Sequence, residues 1–311
     1  MLTFLVKHSL VGMFICALLG FLFPSASTFV FPALPVVLFC LMLLTLLGMP
    51  IRRLTKRLVN QSVWLYGLVH SVLFMCIFAF VCWLVGASNE LTLAILGVGA
   101  TGSLFATPAI VRALGFDNLE AMAMTIVTTL MLPIVLYFPI QWLHVAQGQL
   151  DFVAYGLRLL VFIVGPILIS ILLHRFLPSE WLQRTLVKIS PYTILLVFAF
   201  PFGLVGAYRQ LWQEDELTAL LYLLIAALLV AVFFLVTLML YRKQGYDVAL
   251  TAAITAGNRN VLLTYSIAGA LLGPAFLPLA GAMQLPTYLL PVITKRIYLS
   301  HIKYKLVDKC K

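Results

Sequence analysis

Apolar residues run along this chain in segments of about 17–25 positions, the length that crosses a bilayer as an α-helix. The segments are continuously apolar and lack the alternation of a membrane β-strand, so helices are the only plausible elements. The pattern predicts ten transmembrane helices, at 8–24, 28–49, 62–86, 91–114, 119–142, 152–174, 190–207, 217–241, 247–272 and 274–295.

The composition agrees with an integral membrane protein. Hydrophobic residues make up 63% of the 311 positions and charged residues only 10%, whereas soluble domains carry about 25% charged residues. The net charge of +10 does not indicate nucleic-acid binding, because Lys and Arg cluster in short segments between helices and at the C-terminus.

The charged connections predict the orientation of the helices. Basic segments lie at 52–57, 174–188, 241–244 and 295–305, whereas 87–90, 144–151 and 209–216 are poor in Lys and Arg. All four basic groups then fall on one side, so the positive-inside rule places both termini in the cytoplasm of a multi-pass plasma- or inner-membrane protein. The first 27 residues also resemble a signal peptide, but we favour a first transmembrane helix.

Ten helices divide into two halves of five, residues 1–151 and 152–311, which run in opposite directions through the membrane. Gly99 and Pro133 recur at the same offset as Gly257 and Pro291. We therefore predict inverted repeats, the usual architecture of secondary transporters.

Helices 4 and 9 hold matching places in the two halves, and both are interrupted. Helix 4 reads ILGVGATGSLFATPAIVRALG, with Thr101, Ser103 and Thr107 among its glycines, and helix 9 has Gly257 at its centre. Freed backbone groups are tolerated in a membrane where they line a protein-enclosed cavity, so the pair predicts a binding site between the repeats. Close packing of small residues is the alternative.

Helix 9 also carries Asn258, Arg259 and Asn260, with Thr255 before them. An arginine near the centre of a membrane helix costs roughly 2.5 kcal/mol or more unless it is paired or hydrated. We expect Arg259 to line a functional cavity. The alternative is a structural arginine satisfied by carbonyls of the broken helix 4.

Further polar candidates near the middle of the helices are His70, Gln284 and the threonines Thr125, Thr128 and Thr129. The three threonines share one helix face. Each candidate also has a structural alternative, since threonine bonds back to its own helix and a lone histidine or glutamine can be a packing residue.

The acidic residues can all be placed outside the middle of the membrane, so the sequence offers no carboxylate for a dehydrated cation there. It has no GxxxxGK[ST] or HExxH motif, and no evident nucleophile–base pair. We expect neither an enzyme nor a metal site.

The layout resembles the bile acid:sodium symporter family, within a superfamily that includes bile acid, arsenite and riboflavin-type transporters and auxin-efflux-like carriers. The resemblance rests on GATGSLFATPAIVRALG, AMTIVTTLMLP and ITAGNRNVLL. It implies crossing broken helices 4 and 9, a panel domain of helices 1, 2, 6 and 7, and a core domain of helices 3–5 and 8–10. The arsenite branch resembles this chain less, because its helix-4 cysteine has no counterpart here.

The same resemblance places Thr255 where the family has a sodium-binding glutamate and Arg259 where it has a glutamine. His70 and Thr125 fall on other sodium-site positions, so Thr125, Thr255 and His70 would form a degenerate sodium site. Gly257 and Asn260 match the family. We therefore doubt sodium coupling and expect no other cofactor.

These observations predict a secondary active transporter for a small organic anion, with Arg259 supplying a fixed positive charge. The anion and the lipid bilayer would be its partners, without nucleic acid; the oligomeric state stays open. One alternative is a proton-coupled carrier through His70, whose side chain titrates near neutral pH. Another is a non-transporting membrane receptor or scaffold derived from the same fold.

Overall fold

The computed structural model describes residues 6, 8–143 and 151–309, and for residues 152, 270 and 297–309 it describes the backbone alone. Most of the predicted connection at 144–151, residues 1–5 and 7 of the signal-like first 27, and Cys310 lie outside the described residues. The described part of the chain is helical and contains no strand. Its α-helices are α1 (Ser9–Leu22), α2 (Pro24–Val30), α3 (Leu34–Leu47), α4 (Ile51–Leu58), α5 (Gln61–Leu68), α6 (Phe74–Leu84), α7 (Asn89–Ala100), α8 (Thr107–Ala113), α9 (Asn118–Leu143), α10 (Phe152–Leu159), α11 (Gly165–Phe176), α12 (Ser179–Ile189), α13 (Thr193–Glu214), α14 (Glu216–Tyr241), α15 (Tyr246–Gly257), α16 (Val261–Ala268), α17 (Phe276–Ala282) and α18 (Gln284–Lys309).

Seven helical segments of the described chain are long and apolar enough to cross a membrane. They are Pro24–Leu47, Gln61–Leu84, Asn118–Leu143, Val153–Phe176, Ser179–Glu214, Glu216–Gln244 and Phe276–Arg296. Several of these segments contain more than one helix joined by a 3₁₀ or π-helical turn. The chain is therefore a helical membrane protein, as its hydrophobic pattern predicts.

Three predicted spans are not among the seven. The first, at 8–24, corresponds to α1, which has 14 residues. The fourth is divided into α7 and α8, and the ninth into α15 and α16. The two interruptions predicted from glycine, proline and polar residues are thus present in the structure.

Some predicted boundaries were wrong where helices continue beyond the apolar segment. The seventh span was predicted to end at 207, but α13 continues to Glu214, because the polar residues after 207 include good helix formers. The connection at 52–57 lies within α4, and the connection at 174–188 includes most of α12. Hydropathy locates the apolar part of a helix, whereas propensity and capping decide where the helix ends.

Helices α9 and α14 pack against helices that flank the two interruptions. Helix α9 packs against α5, α7 and α8, while α14 packs along α15. Helix α13 contacts α1, α2, α3 and α17, and α11 packs against α3. The chain segments between α7 and α8 and between α15 and α16, residues 101–106 and 258–260, are buried inside the protein.

Candidate functional site at the crossing of two interrupted helices

The two interruptions meet each other inside the protein. Residues 101–106, between α7 and α8, pair with residues 258–260, between α15 and α16. The amide of Leu104 donates to the Asn258 carbonyl at 2.8 Å, and the amide of Asn260 donates to the Gly102 carbonyl at 2.8 Å. Ser103 and Arg259 form an isolated antiparallel bridge between these bonds. We call this paired region, residues 101–106 and 258–260, the crossover.

Local sequence explains why both helices stop here. Helix α15 ends at Gly257, and the side chain of Asn260 caps α16 by accepting a hydrogen bond from the Leu263 amide at 3.3 Å. Pro108 lies in the first turn of α8, where its missing N–H costs no helical bond. The backbone groups freed at each interruption find partners in the other, as buried backbone groups require.

Gly102 allows the crossover to approach α9. A Cβ atom added at Gly102 would lie 2.9 Å from both the amide nitrogen and Oγ1 of Thr129. The neighbouring Ser103 amide donates to Oγ1 of Thr128 at 3.1 Å. The predicted threonine face of α9 therefore lies against the crossover.

The Arg259 side chain is held by carbonyl oxygens. Its Nη1 donates to the Thr101 carbonyl at 2.8 Å, and its Nη2 donates to the His70 carbonyl at 2.9 Å. Its guanidinium carbon lies 3.6 Å from the centre of the Phe233 ring, a cation–π distance. The residue is 3% exposed. The alternative of an arginine satisfied by carbonyls of helix 4 is thus observed at Thr101.

A π-helical turn presents the second of these carbonyls. Residues Val69–Leu73 form this turn between α5 and α6, and the Phe74 amide bonds to Val69 instead of to His70 four residues back. The His70 carbonyl then accepts from Arg259. Single π-helical turns are frequent at functional sites, and this one connects a third helix to the crossover.

No carboxylate compensates the Arg259 charge in the described part of the chain. The ion pairs found there join Arg57 to Asp117 and Glu120, and Arg184 to Glu180. Carbonyl dipoles and one aromatic face stabilise the guanidinium, but they leave its full positive charge inside the protein. The crossover is therefore electrostatically suited to an anion.

The His70 ring is fully buried and bonded at both nitrogens. Its Nδ1 lies 2.7 Å from the Tyr66 carbonyl, and its Nε2 lies 2.7 Å from Oγ1 of Thr237. Because a carbonyl only accepts, Nδ1 carries a proton. The Thr237 hydroxyl also lies 2.6 Å from the Phe233 carbonyl. A neutral ring would accept the single hydroxyl proton of Thr237, whereas a protonated ring would donate to it and leave that proton for Phe233.

The three residues of the expected degenerate sodium site are satisfied locally. Oγ1 of Thr125 donates to the Ala121 carbonyl at 2.8 Å, and Oγ1 of Thr255 donates to the Thr251 carbonyl at 2.7 Å. His70 uses both ring nitrogens. The described residues contain no group of three His, Cys, Asp or Glu side chains that could hold a metal ion.

Every predicted site residue with a side chain is buried, and most lie at or beside the crossover. Hydroxyl groups of Thr101 and Thr264 contact each other between the two interrupted helices. Gln284 donates to the Ala280 carbonyl within its own segment at 2.7 Å and lies across from Arg259 and Asn260 at a small cavity. Gly257 provides the end of α15.

Several buried polar atoms at the crossover have no hydrogen-bond partner among the described residues. They are Oγ1 of Thr107, Oγ1 of Thr129, Oδ1 of Asn258, Nδ2 of Asn260 and Nε of Arg259. Buried polar side chains are normally bonded, so such a concentration marks a place where a ligand or water would find partners.

Two crevices on opposite sides extend toward the interrupted helices. One crevice lies on the side of the basic connections at 52–57 and 174–188, and we call it the basic-side crevice. It has a volume of about 170 Å³, and its lining includes Thr45, Ala106, Ala109, Arg112 and Asn118. The other crevice lies on the opposite side, near Glu90 and Glu214, and we call it the acidic-side crevice. It has a volume of about 490 Å³, and its lining also includes Gln210, Tyr222 and Tyr265. Ala106 belongs to the crossover itself, and Tyr265 lies on α16.

Sequence reasoning missed Tyr66, Phe233, Thr237 and Thr264. Tyr66 stacks on His70 with ring centres 3.8 Å apart, and Phe233 and Thr237 lie one helical turn apart on the face of α14 toward His70. In the sequence these residues lie within apolar runs. The i, i+4 spacing of Phe233 and Thr237 is the one sequence signal for a shared contact surface, and it is weak.

No protein-family model and no curated protein matches this sequence.

Proposed function

We propose that this protein is a secondary active transporter for a small organic anion, in which the Arg259 guanidinium takes the place of a bound cation. The carrying observation is that Arg259 donates to the freed carbonyls of Thr101 and His70 while no carboxylate neutralises it among the described residues. Carbonyl oxygens at broken helices are the ligands that such folds offer to a coupling cation.

The unpartnered groups support recognition of a substrate at the same place. Nδ2 of Asn260 can donate to an anion, and Oδ1 of Asn258 can accept from a hydroxyl or amide of an organic substrate. The substrate would therefore carry a negative charge together with a hydrogen-bonding group. The crossover is closed in this conformation, so the substrate would enter only when helices move apart.

The arrangement of the crevices supports alternating access. The basic-side crevice is lined by α3, α8 and α13, and the acidic-side crevice by residues of α13, α14 and α16. Helix α13 therefore borders both. In the proposed ten-helix inverted repeat, α13 is helix 7 of the panel domain, and movement of that domain against the core would open one crevice while closing the other.

The resemblance to bile acid:sodium symporters gives the same architecture: ten spans, termini in the cytoplasm and crossing helices 4 and 9. The short α1 would be the first span, and the α7–α8 and α15–α16 pairs would be the fourth and ninth. Together with the seven long apolar segments, these three would give ten transmembrane spans.

Uptake into proteoliposomes tests the proposal. We expect a panel of radiolabelled carboxylates to include one that is taken up equally well in sodium and choline buffers. Arg259→Gln should reduce that uptake at least about tenfold, while Arg184→Gln, which removes an exposed arginine from an i, i+4 pair, should leave it unchanged. Strict sodium dependence, or full activity of correctly folded Arg259→Gln, would refute the fixed-cation proposal.

The hydrogen bonds of His70 favour one second candidate, coupling of transport to protons. When Nε2 is unprotonated, it accepts the hydroxyl proton of Thr237. When Nε2 is protonated, it donates to the Thr237 oxygen, and the hydroxyl donates to the Phe233 carbonyl instead. If His70 carries the coupled proton, His70→Gln should abolish uptake driven by a pH gradient. Gradient-driven uptake that survives in His70→Gln would exclude this role.

A further inference from the structure

A small cavity lies beside the crossover, between α13, α16 and α18. Arg259, Asn260, Gln284 and Thr287 contribute its polar lining, and Leu104 and Phe200 are among its apolar neighbours. Its volume of about 10 Å³ leaves room for one water molecule or one small inorganic ion. An organic carboxylate does not fit in this space.

Two of the lining residues have buried N–H groups without a partner in the described chain, Nε of Arg259 and Nδ2 of Asn260. The terminal nitrogens of Arg259 are occupied by the carbonyls of Thr101 and His70, so Nε is the nitrogen left free. Oδ1 of Asn260 caps α16, which leaves its amide nitrogen as the free end. Both unpartnered groups are donors, and they belong to adjacent residues.

The local backbone adds to this preference for negative charge. Val261 and Leu262, which also line the cavity, are the first two residues of the eight-residue helix α16. Amides in the first turn of a helix lack carbonyl partners within it, and the helix dipole is positive there. The cavity lining contains no Asp or Glu. A water molecule would satisfy the donors but would leave the guanidinium charge uncompensated.

We propose that this cavity binds a monovalent inorganic anion of halide size, chloride in ordinary buffers, between Nε of Arg259 and Nδ2 of Asn260. The anion would neutralise the one buried arginine at the crossover and hold α16 against α18. This inference rests on the unneutralised charge and the free donors, and it holds whether or not the protein transports an organic anion; a transported anion would displace the halide from Nδ2 of Asn260.

Thermal unfolding of the detergent-purified protein provides the first test. Replacing gluconate by chloride or bromide at constant ionic strength should raise the Tm by several degrees, in sodium and in choline salts alike, because a ligand that binds only the folded state stabilises it. A Tm that does not respond to halide would overturn the proposal.

The Asn260→Asp variant locates the effect. It keeps the oxygen that caps α16 but replaces the free donor by a negatively charged oxygen, so we expect the halide response to disappear. Asn60→Asp is the matched control, because Asn60 caps α5 in the same way, away from the crossover, through the Ser62 amide; it should keep the full response. An undiminished halide response in Asn260→Asp would place the anion elsewhere and overturn the site.

Crystals of the unaltered protein grown with bromide give a direct measurement that does not depend on any variant folding. An anomalous peak within hydrogen-bonding distance of Nε of Arg259 and Nδ2 of Asn260 is expected. Density of a water molecule without anomalous signal would overturn the proposal. The uptake assay is separate, so a failure of organic-anion transport would leave the halide result standing.

Discussion

The Arg259 side chain donates to the His70 carbonyl at 2.9 Å and so joins the interruption after α15 to the π-helical turn after α5. A second bond to Thr101 joins it to the interruption after α7. One planar guanidinium thus connects three places where helical bonding is broken. A point charge could not make both bonds in this geometry, since the fork of the guanidinium fixes the two directions.

Replacing Arg259 by Lys is therefore expected to destabilise the protein although the charge is kept. A single ammonium would lose at least one of two buried bonds to a charged group, each of which contributes about 1.5–3 kcal/mol. The Tm in detergent, together with size-exclusion profiles, measures the loss. Arg209→Lys is the control, because Arg209 contacts the Phe21 ring at 4.9 Å and Lys can also make such a contact. Equal Tm values for the two variants would show that the two guanidinium hydrogen bonds of Arg259 do not stabilise the protein.

The sequence predicts the two helix interruptions but not the contact between Arg259 and His70. Glycine, proline and buried polar residues within apolar runs indicate interruptions directly, so the breaks between α7 and α8 and between α15 and α16, with Arg259 at the second, follow from the sequence. The role of His70 does not. Its residue type suggests proton coupling, and the family resemblance suggests a sodium ligand. Neither indicates that its carbonyl accepts from Arg259, because that contact depends on a π-helical turn that no sequence pattern specifies.

The partners on α14 show the same limit. Phe233 and Thr237 lie in the most apolar of the long segments, where a phenylalanine and a threonine are ordinary residues. Their contacts with Arg259 and His70 depend on how α14 is rotated against α5 and α6, which tertiary packing decides. The interruptions are local properties of the chain, whereas the bonds across them are not.

Gly102→Ala is expected to destabilise the crossover because an added Cβ would lie 2.9 Å from the backbone nitrogen of Thr129. Relieving that overlap requires α9 to shift, and overpacking of this kind costs about 1–3 kcal/mol. Gly156→Ala is a matched control, since a Cβ there meets nothing within 4 Å and alanine favours the helix. We expect a lower Tm only for Gly102→Ala. A Tm of Gly102→Ala equal to that of Gly156→Ala would show that α9 yields without cost.

Thr237→Val tests the His70 contact with a side chain of the same shape. It removes the hydroxyl that lies 2.7 Å from Nε2 of His70, and an unsatisfied buried nitrogen costs about 1–3 kcal/mol. Thr45→Val removes a hydroxyl that bonds only back to its own helix, at the Leu41 carbonyl, and should change stability by less than about 0.5 kcal/mol. The difference between the two Tm values is the measurement. Identical values would mean that Thr237 gives His70 no net stabilisation.

Asp215 should make the connection between α13 and α14 sensitive to acid. The Thr218 hydroxyl and the Thr218 and Leu217 amides donate to its carboxylate, and these bonds hold the pKa of Asp215 below its ordinary value of 3.8. Because the folded state lowers this pKa, the stabilisation is complete above 3.8 and is lost as the pH falls through the lower folded value.

The Asp215→Asn variant keeps the oxygen that accepts from the two amides but does not titrate. We therefore expect its Tm to fall less than that of the unaltered protein between about pH 5 and about pH 2. Thr218→Val, which removes the hydroxyl donor, should reduce the same slope by a smaller amount. Three parallel Tm curves would show that Asp215 is not responsible for the acid sensitivity of the protein.

The two crevices make a prediction about sidedness that does not depend on the substrate. Ala109 lines the basic-side crevice and Gln210 the acidic-side crevice. In a variant whose native cysteines are replaced, Ala109→Cys should react with a membrane-impermeant maleimide only in inside-out vesicles, and Gln210→Cys only in right-side-out vesicles. The positive-inside distribution of Lys and Arg is the reason for this assignment.

Two exposed positions serve as controls for the sides of the membrane. Asn60→Cys lies beside the basic connection at 52–57, and Leu217→Cys lies in the first turn of α14 on the acidic side. Labelling of Ala109→Cys and Gln210→Cys from the same side would contradict the assignment of the two crevices to opposite faces of the membrane.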